Sequence, residues 1–310
     1  MKGTMRMKPI KTTHFNITRK IIATTTTESW QTIPHTGFSY EPEVSKFMEM
    51  SKRLNASGKF SHKITVNTLM LKVIAEGLKA APELNANIHY NRKYVKGSIT
   101  QYEDIHASMT WVLPNDEMMT INLHDIGSKS LDELSEYIAD VGRRIGNTNL
   151  EEVMYSISFD DTMLALKRGQ FLKVFRRLAG AKFGKYKVHN LKGKEKKAYY
   201  AIPETDRLTK EDLRQGTVCV SNIGSTTRGI HGRCTMLAII PPEVFVICMS
   251  AVQKTPVVVT DENGEDKVVP GLVMPMMCVF DHRAVDFGEV VPFVKRLEQI
   301  FDNPEEMLEW

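Results

Sequence analysis

What the chain lacks narrows the field first. Its 310 residues include four cysteines, Cys219, Cys234, Cys248 and Cys278, widely spaced, mostly inside apolar runs and without a C-x-x-C pair. That pattern argues against both a disulfide framework and a zinc site, and leaves reduced, buried thiols. None of the nine histidines stands in an i, i+4 pair beside a glutamate, so no metalloprotease-type helix is present and no metal is expected. Neither G-x-G-x-x-G nor G-x-x-x-x-G-K-[ST] occurs, so nothing suggests a dinucleotide or phosphate-loop site. No run approaches the ~18 consecutive apolar residues of a membrane span. Met1 to Lys11 is basic but has no apolar h-region or small-residue cleavage site, so the expected location is cytoplasmic.

What is present is the composition of an ordinary globular protein, 42% hydrophobic and 25% charged. Residues 1–15 lack periodicity and read as an arm. A basic helical turn is expected from Asn16 to Ala23, followed by a β-branched stretch from Thr24 to Trp30. His35 to Tyr40 alternates like a short strand, and helices are expected at about Glu41 to Leu54 and Thr65 to Ala81. The second helix is apolar nearly all round, which implies burial. Ile105 to Val112 and Met118 to Leu123 read as strands joined by the turn Pro114-Asn115-Asp116, with a helix from Ser130 to Arg144 after them. Strand and helix pairings of this kind predict an α+β fold, a mixed sheet packed with helices, rather than a doubly wound parallel sheet. Further on, buried strands are expected at Thr217 to Ile223, Val244 to Met249 and Leu272 to Val279, with a hairpin around Asn263-Gly264.

Residues 147–213 read as a basic insertion in an otherwise single domain spanning 16–310. Between Lys167 and Lys197 twelve Lys or Arg face one acid, Glu195, a net of +11 that leaves the rest of this +4 chain at −7. Phe171, Val174, Phe175 and Leu178 follow i, i+3, i+4, i+7 spacing with Lys173, Arg176 and Arg177 between them, which predicts a basic amphipathic helix. The plain expectation is that its apolar stripe docks on the domain and a cationic face is left in solvent. An anionic cofactor, an acidic carrier protein and a peripheral membrane contact are the sharper readings. Nucleic acid is not expected, because the aromatics fall at helix-core positions rather than on a stacking platform.

One stretch organises the rest: Phe280-Asp281-His282-Arg283, followed by Asp286, Phe287, Gly288 and Glu289. It joins a buried strand to an amphipathic helix at Val290 to Phe301, so His282 stands at a rigid strand end that opens to ligand. A neutral imidazole there suits a general base, while a hydrogen-bonded core histidine is the plain alternative. Asp286 with Glu289 three residues on has the form of an N-cap and capping box.

The order of further short stretches carries a family resemblance. Thr18-Arg19-Lys20-Ile21, Gln31-Thr32-Ile33-Pro34-His35, Pro82 to Ala86, Lys129-Ser130-Leu131, Gly216 to Gly224, Pro241-Pro242-Glu243 and Phe280 to Arg283 with Asp286 follow one another. With these the chain resembles the catalytic domain of the dihydrolipoamide acyltransferases of 2-oxo acid dehydrogenase complexes, in the chloramphenicol acetyltransferase-like superfamily. The likeness covers about residues 16–146 and 208–302.

The resemblance implies a chloramphenicol acetyltransferase-like two-layer fold and a coenzyme A-dependent acyltransferase acting on a thiol, hydroxyl or amine acceptor, without a metal. It places the active-site histidine on His282, the partner acid on Asp286 and the oxyanion-stabilising hydroxyl on Ser221. A strand-end serine bonding its own turn is the plain alternative for Ser221. Arg19 is the implied structural partner of Asp286. The resemblance also implies a homotrimer, or an assembly of trimers, with active sites shared between subunits. Phe287 stands where the family has a glycine, with Gly288 displaced by one, so a reshaped helix start or acceptor channel is expected. No segment resembles a lipoyl domain or subunit-binding domain, so no lipoyl group is expected on this chain, and the acceptor is a small molecule or a carrier protein supplied in trans. The reading from another class is a non-catalytic trimeric scaffold, or regulatory relative, that keeps the fold.

Overall fold

The computed structural model describes residues 8–112, 118–182, 187–188, 190–224, 226–227, 229–230 and 232–310. In chain order it contains α1 (Ile17–Thr32), β1 (His35–Tyr40), α2 (Ser45–Ala56), α3 (Val66–Ala80), β2 (Ala86–Asn91), β3 (Lys96–Gln101), β4 (Ala107–Val112), β5 (Met118–Leu123) and α4 (Leu131–Gly146). There follow α5 (Leu150–Lys167), α6 (Phe171–Lys182), α7 (Gly193–Tyr200), β6 (Val218–Asn222), β7 (Phe245–Met249), β8 (Gln253–Thr260), β9 (Asp266–Val273), β10 (Met276–Asp281) and α8 (Phe287–Asp302). The turn expected at Pro114-Asn115-Asp116 lies outside the described residues.

The α+β expectation holds. A six-stranded mixed sheet runs β1-β10-β7-β6-β4-β5, parallel at β4/β6 and β6/β7 and antiparallel elsewhere. Alternation along each strand sends Val218, Val220, Phe245, Ile247, Cys278 and Phe280 to the face where the main core lies. Cys219, Val246, Cys248, Met277 and Val279 point to the other face, covered by Ile33, Leu237 and Ile239. The centre of the main core is α3, whose Leu69, Met70, Leu71, Val73 and Ile74 are fully buried. It lies against α8 at Gly77, where a Cβ would fall 2.5 Å from Leu297 Cδ1 and 2.7 Å from the Phe293 ring.

Several boundaries differ from expectation, each for a local reason. The helical turn expected from Asn16 to Ala23 does not stop at the β-branched stretch, which continues the single helix α1. The Asn16 side chain caps it by accepting from the Arg19 N–H at 2.8 Å. The hydroxyls of Thr24, Thr25, Thr26 and Thr32 donate to carbonyls four residues back, which satisfies them within the helix. The apolar run Leu272 to Val279 is two strands rather than one. β9 ends at Val273 in its own two-stranded sheet with β8, and β10 begins at Met276 after Pro275.

The plain expectation for α6 also fails. Only Val174 of its apolar stripe is buried, while Phe171 is 69% and Phe175 70% exposed. The helix is tethered at its far end instead, where Lys20 Nζ of α1 donates to the Gly180 carbonyl at 2.5 Å.

Candidate active site at the strand–helix junction

The turn that carries His282 is held from both sides of the chain. Asp281 is fully buried, its N–H donates to the Val244 carbonyl at 2.9 Å, and the His282 N–H donates to the Pro34 carbonyl at 3.1 Å. The Asp281 carboxylate accepts from the Arg283 backbone N–H at 3.0 Å, from Nε at 2.9 Å and from Nη2 at 2.5 Å. Such a closed ring of charge-assisted bonds compensates the buried carboxylate and fixes the direction in which His282 leaves the strand. Arg283 in turn lies over the Tyr90 ring, 5.6 Å from its centroid. This ion pair was missed at the level of sequence, although Asp and Arg flanking the histidine were its signal.

The His282 side chain is 50% exposed, and its Nδ1 lies 3.1 Å from Asp286 Oδ1, with Nε2 unpartnered among the described residues. Asp286 caps α8, and the Glu289 carboxylate accepts from the Asp286 N–H at 2.7 Å, as the capping-box spacing anticipates. One residue thus ends the turn, starts the helix and touches the imidazole. The expected partnership with Arg19 is not seen: no ion pair joins Arg19 to Asp286 among the described residues. The four-residue step from His282 already brings Asp286 within reach of the imidazole.

Phe287 does not disturb the helix start. It is the first residue of α8 and meets Phe38 of the edge strand β1 edge-on, with centroids 5.1 Å apart. A Cβ on the displaced Gly288 would meet nothing within 4 Å, so nothing in the packing requires glycine there.

Ser221, at 7% exposure, belongs to β6 and shares the thinly covered face with Cys219 and Cys248. Burial and the neighbouring Cys234 push the Cys248 thiol up, against an opposing hydrogen bond with Ser221. Ser221 pairs with Cys248, and Cys248 with Met277, so Ser221 is level with the beginning of β10 whereas His282 follows its end. Five residues of strand and two strand spacings separate them, about 16 Å along and about 10 Å across. Within one chain the two residues stand at opposite ends of the sheet.

The serine end opens into a cavity of about 810 Å³ lined by Asn222, Gly224, Ser250, Asn67, Lys52 and Lys63 among others. The Asn222 side chain donates to Asn67 and accepts from the Gly224 N–H at 2.8 Å. Glycine is required at 224, because a Cβ would lie 2.9 Å from the Ala251 backbone. The chain has no group of three or more His, Cys, Asp or Glu able to hold a metal among the described residues.

The comparisons bear on the family and the fold. The family model described as 2-oxoacid dehydrogenases acyltransferase (catalytic domain) matches residues 8–156 and 194–309. The mitochondrial dihydrolipoyllysine-residue acetyltransferase component of the Saccharomyces cerevisiae pyruvate dehydrogenase complex is 21% identical over 94% of this chain and 46% of its own length. The chain therefore spans about half the length of the curated relatives it matches. The cubic core of the pyruvate dehydrogenase multienzyme complex superposes with a TM-score of 0.63 at 17% identity, covering 97% of this chain and 94% of that one. The Azotobacter vinelandii dihydrolipoamide acetyltransferase does so with the same score, identity and coverage. The crystallographic and enzymatic study of that enzyme concerns the role of a serine, a histidine and an asparagine in its catalytic mechanism.

Proposed function

The chain belongs to the 2-oxoacid dehydrogenase acyltransferase catalytic-domain family, and from that premise we propose that it moves an acyl group between coenzyme A and a thiol acceptor of the dihydrolipoamide class. The observation that carries the reading is the His282 imidazole, anchored at Nδ1 by Asp286 with Nε2 open. With a proton held on Nδ1, Nε2 is the basic nitrogen. It takes the proton of the acceptor thiol, and the thiolate attacks the thioester carbonyl. The tetrahedral oxyanion accepts a hydrogen bond from Ser221, and collapse expels the coenzyme A thiolate, to which His282 returns the proton. Asp286 acts through the imidazole as a positioning residue.

Because Ser221 and His282 lie at opposite ends of one sheet, the working site takes His282 from one protomer and Ser221 from its neighbour. A cyclic homotrimer satisfies this with three equivalent heterologous interfaces. Lys52 and Lys63 at the rim of the serine-side cavity suit the phosphates of a coenzyme A thioester. The aromatic pair of Phe38 and Phe287 flanks the histidine side, where the acceptor enters.

Purified His282→Ala is expected to lose about 10²–10⁴-fold in acyl transfer to dihydrolipoamide, and Ser221→Ala about 10²–10³-fold. Refolding the two variants together tests the shared site. A random mixture of trimers regains about a quarter of wild-type activity if each site draws on two chains, and none if it does not. Unchanged transfer in His282→Ala would overturn His282 as the base, and a wild-type chain that shows neither transfer nor coenzyme A binding would favour a scaffold.

A further inference from the structure

The segment that the family model leaves unmatched, 157–193, is also where large apolar side chains gather in solvent. Phe159 and Leu164 of α5 and Phe171, Leu172, Phe175 and Leu178 of α6 are all exposed. On a helical wheel the four α6 residues span one arc, and Arg176 follows at its edge. Val174, on the far side of this arc from Leu172, is the residue that packs inward. The helix therefore presents its apolar side outward, the reverse of a surface helix docked on its own domain.

The charge around this arc has one sign. Nine Lys or Arg stand in 157–193 against Asp160 and Asp161, and Asp160 is already occupied by Lys210 at 2.5 Å. Asp161 is the last acid until Glu195. A convex apolar arc bordered by cations fits the boundary between anionic headgroups and acyl chains, where aromatic and leucine side chains insert and arginine stays at phosphate level. The geometry points to α6, with the end of α5, as a peripheral docking surface for membranes containing anionic phospholipid. No helix among the described residues is long and apolar enough to cross a membrane, so the contact lies in the plane of the interface. The inference does not depend on the acyltransfer reading, and its test needs no activity.

Co-sedimentation with phosphatidylglycerol–phosphatidylcholine vesicles provides that test, with phosphatidylcholine vesicles and high salt as controls. The full chain is expected to pellet with the anionic vesicles at low salt and to be released by salt. Phe171→Ser combined with Phe175→Ser is expected to weaken partitioning by about tenfold or more, and Arg176→Glu combined with Arg177→Glu to weaken it on anionic vesicles only. Both pairs are exposed or nearly so, and unchanged circular dichroism melting confirms that the variants are folded. A wild-type chain that stays in the supernatant at low salt overturns the inference, as does a Phe171→Ser/Phe175→Ser variant that pellets as before. Loss of oligomer mass in that variant without lipid also overturns it, since the stripe would then lie between copies of the chain.

Discussion

The sheet with its helices and the 157–193 segment use the same residues in opposite ways. Phe245, Phe280, Phe293 and Phe301 are exposed to 2% or less, whereas Phe159, Phe171 and Phe175 are exposed to 55% or more. In the first region each aromatic faces another layer, as Phe245 meets Phe293 at 5.2 Å and Phe47 meets Phe301 at 5.3 Å. In the second, no layer covers α6 among the described residues. Amphipathicity thus marks a surface that excludes water, while the partner that completes it is decided elsewhere.

Substitutions break this comparison in order of size. Phe280→Ala is expected to cost about 3–5 kcal/mol, since it leaves a cavity in the close-packed face of the central sheet. Equilibrium urea unfolding measures it, and a cost under about 1 kcal/mol would mean that the core is not packed as described.

Glu243 comes next. Its carboxyl is fully buried, and burial pushes it up to about 8, although bonds from Ser108 and Gly216 oppose the rise. Folding therefore binds a proton here. The stabilising contribution is whole below the ordinary glutamate range and is lost as pH rises through about 8. Glu243→Gln, which needs no proton, is expected to be more stable than wild type above that pH, by about 2–3 kcal/mol. Thermal melts across the alkaline range that stay parallel for the two proteins would refute the assignment.

Gly77→Ala is expected to cost about 1–3 kcal/mol by forcing α3 away from α8. Phe175→Ala closes the series with a change within about 0.5 kcal/mol, as befits a side chain already in solvent. If it destabilised the chain as much as Phe280→Ala, α6 would be part of the core after all.

The two regions were not equally legible. The junction at His282 could be read because several local signals coincide there: an apolar strand, Asp and Arg around the histidine, and a capping pair at Asp286 and Glu289. The β2–β3 hairpin was not read, because β3 is exposed along its whole length and carries no alternation, and the Asn91-to-Lys96 connection lacks an Asn-Gly or Gly-Gly signal. Helix α5 was not read because its apolar residues are spread around the helix without a single face. Its N-terminus is instead secured by tertiary bonds, with Glu152 accepting from the Leu191 N–H at 2.9 Å and pairing with Lys196 at 3.1 Å.

By itself the sequence determined which residues share a face in most elements, where α3, α4 and α8 are capped, and that a histidine stands at a strand end beside an acid, because periodicity, capping and strand-end position are local properties of the backbone. Only the tertiary structure decided that Ser221 stands at the far end of the sheet from His282 and that the stripe of α6 looks outward. Both depend on strand order and on what lies across each face, which are contacts between residues far apart in the chain.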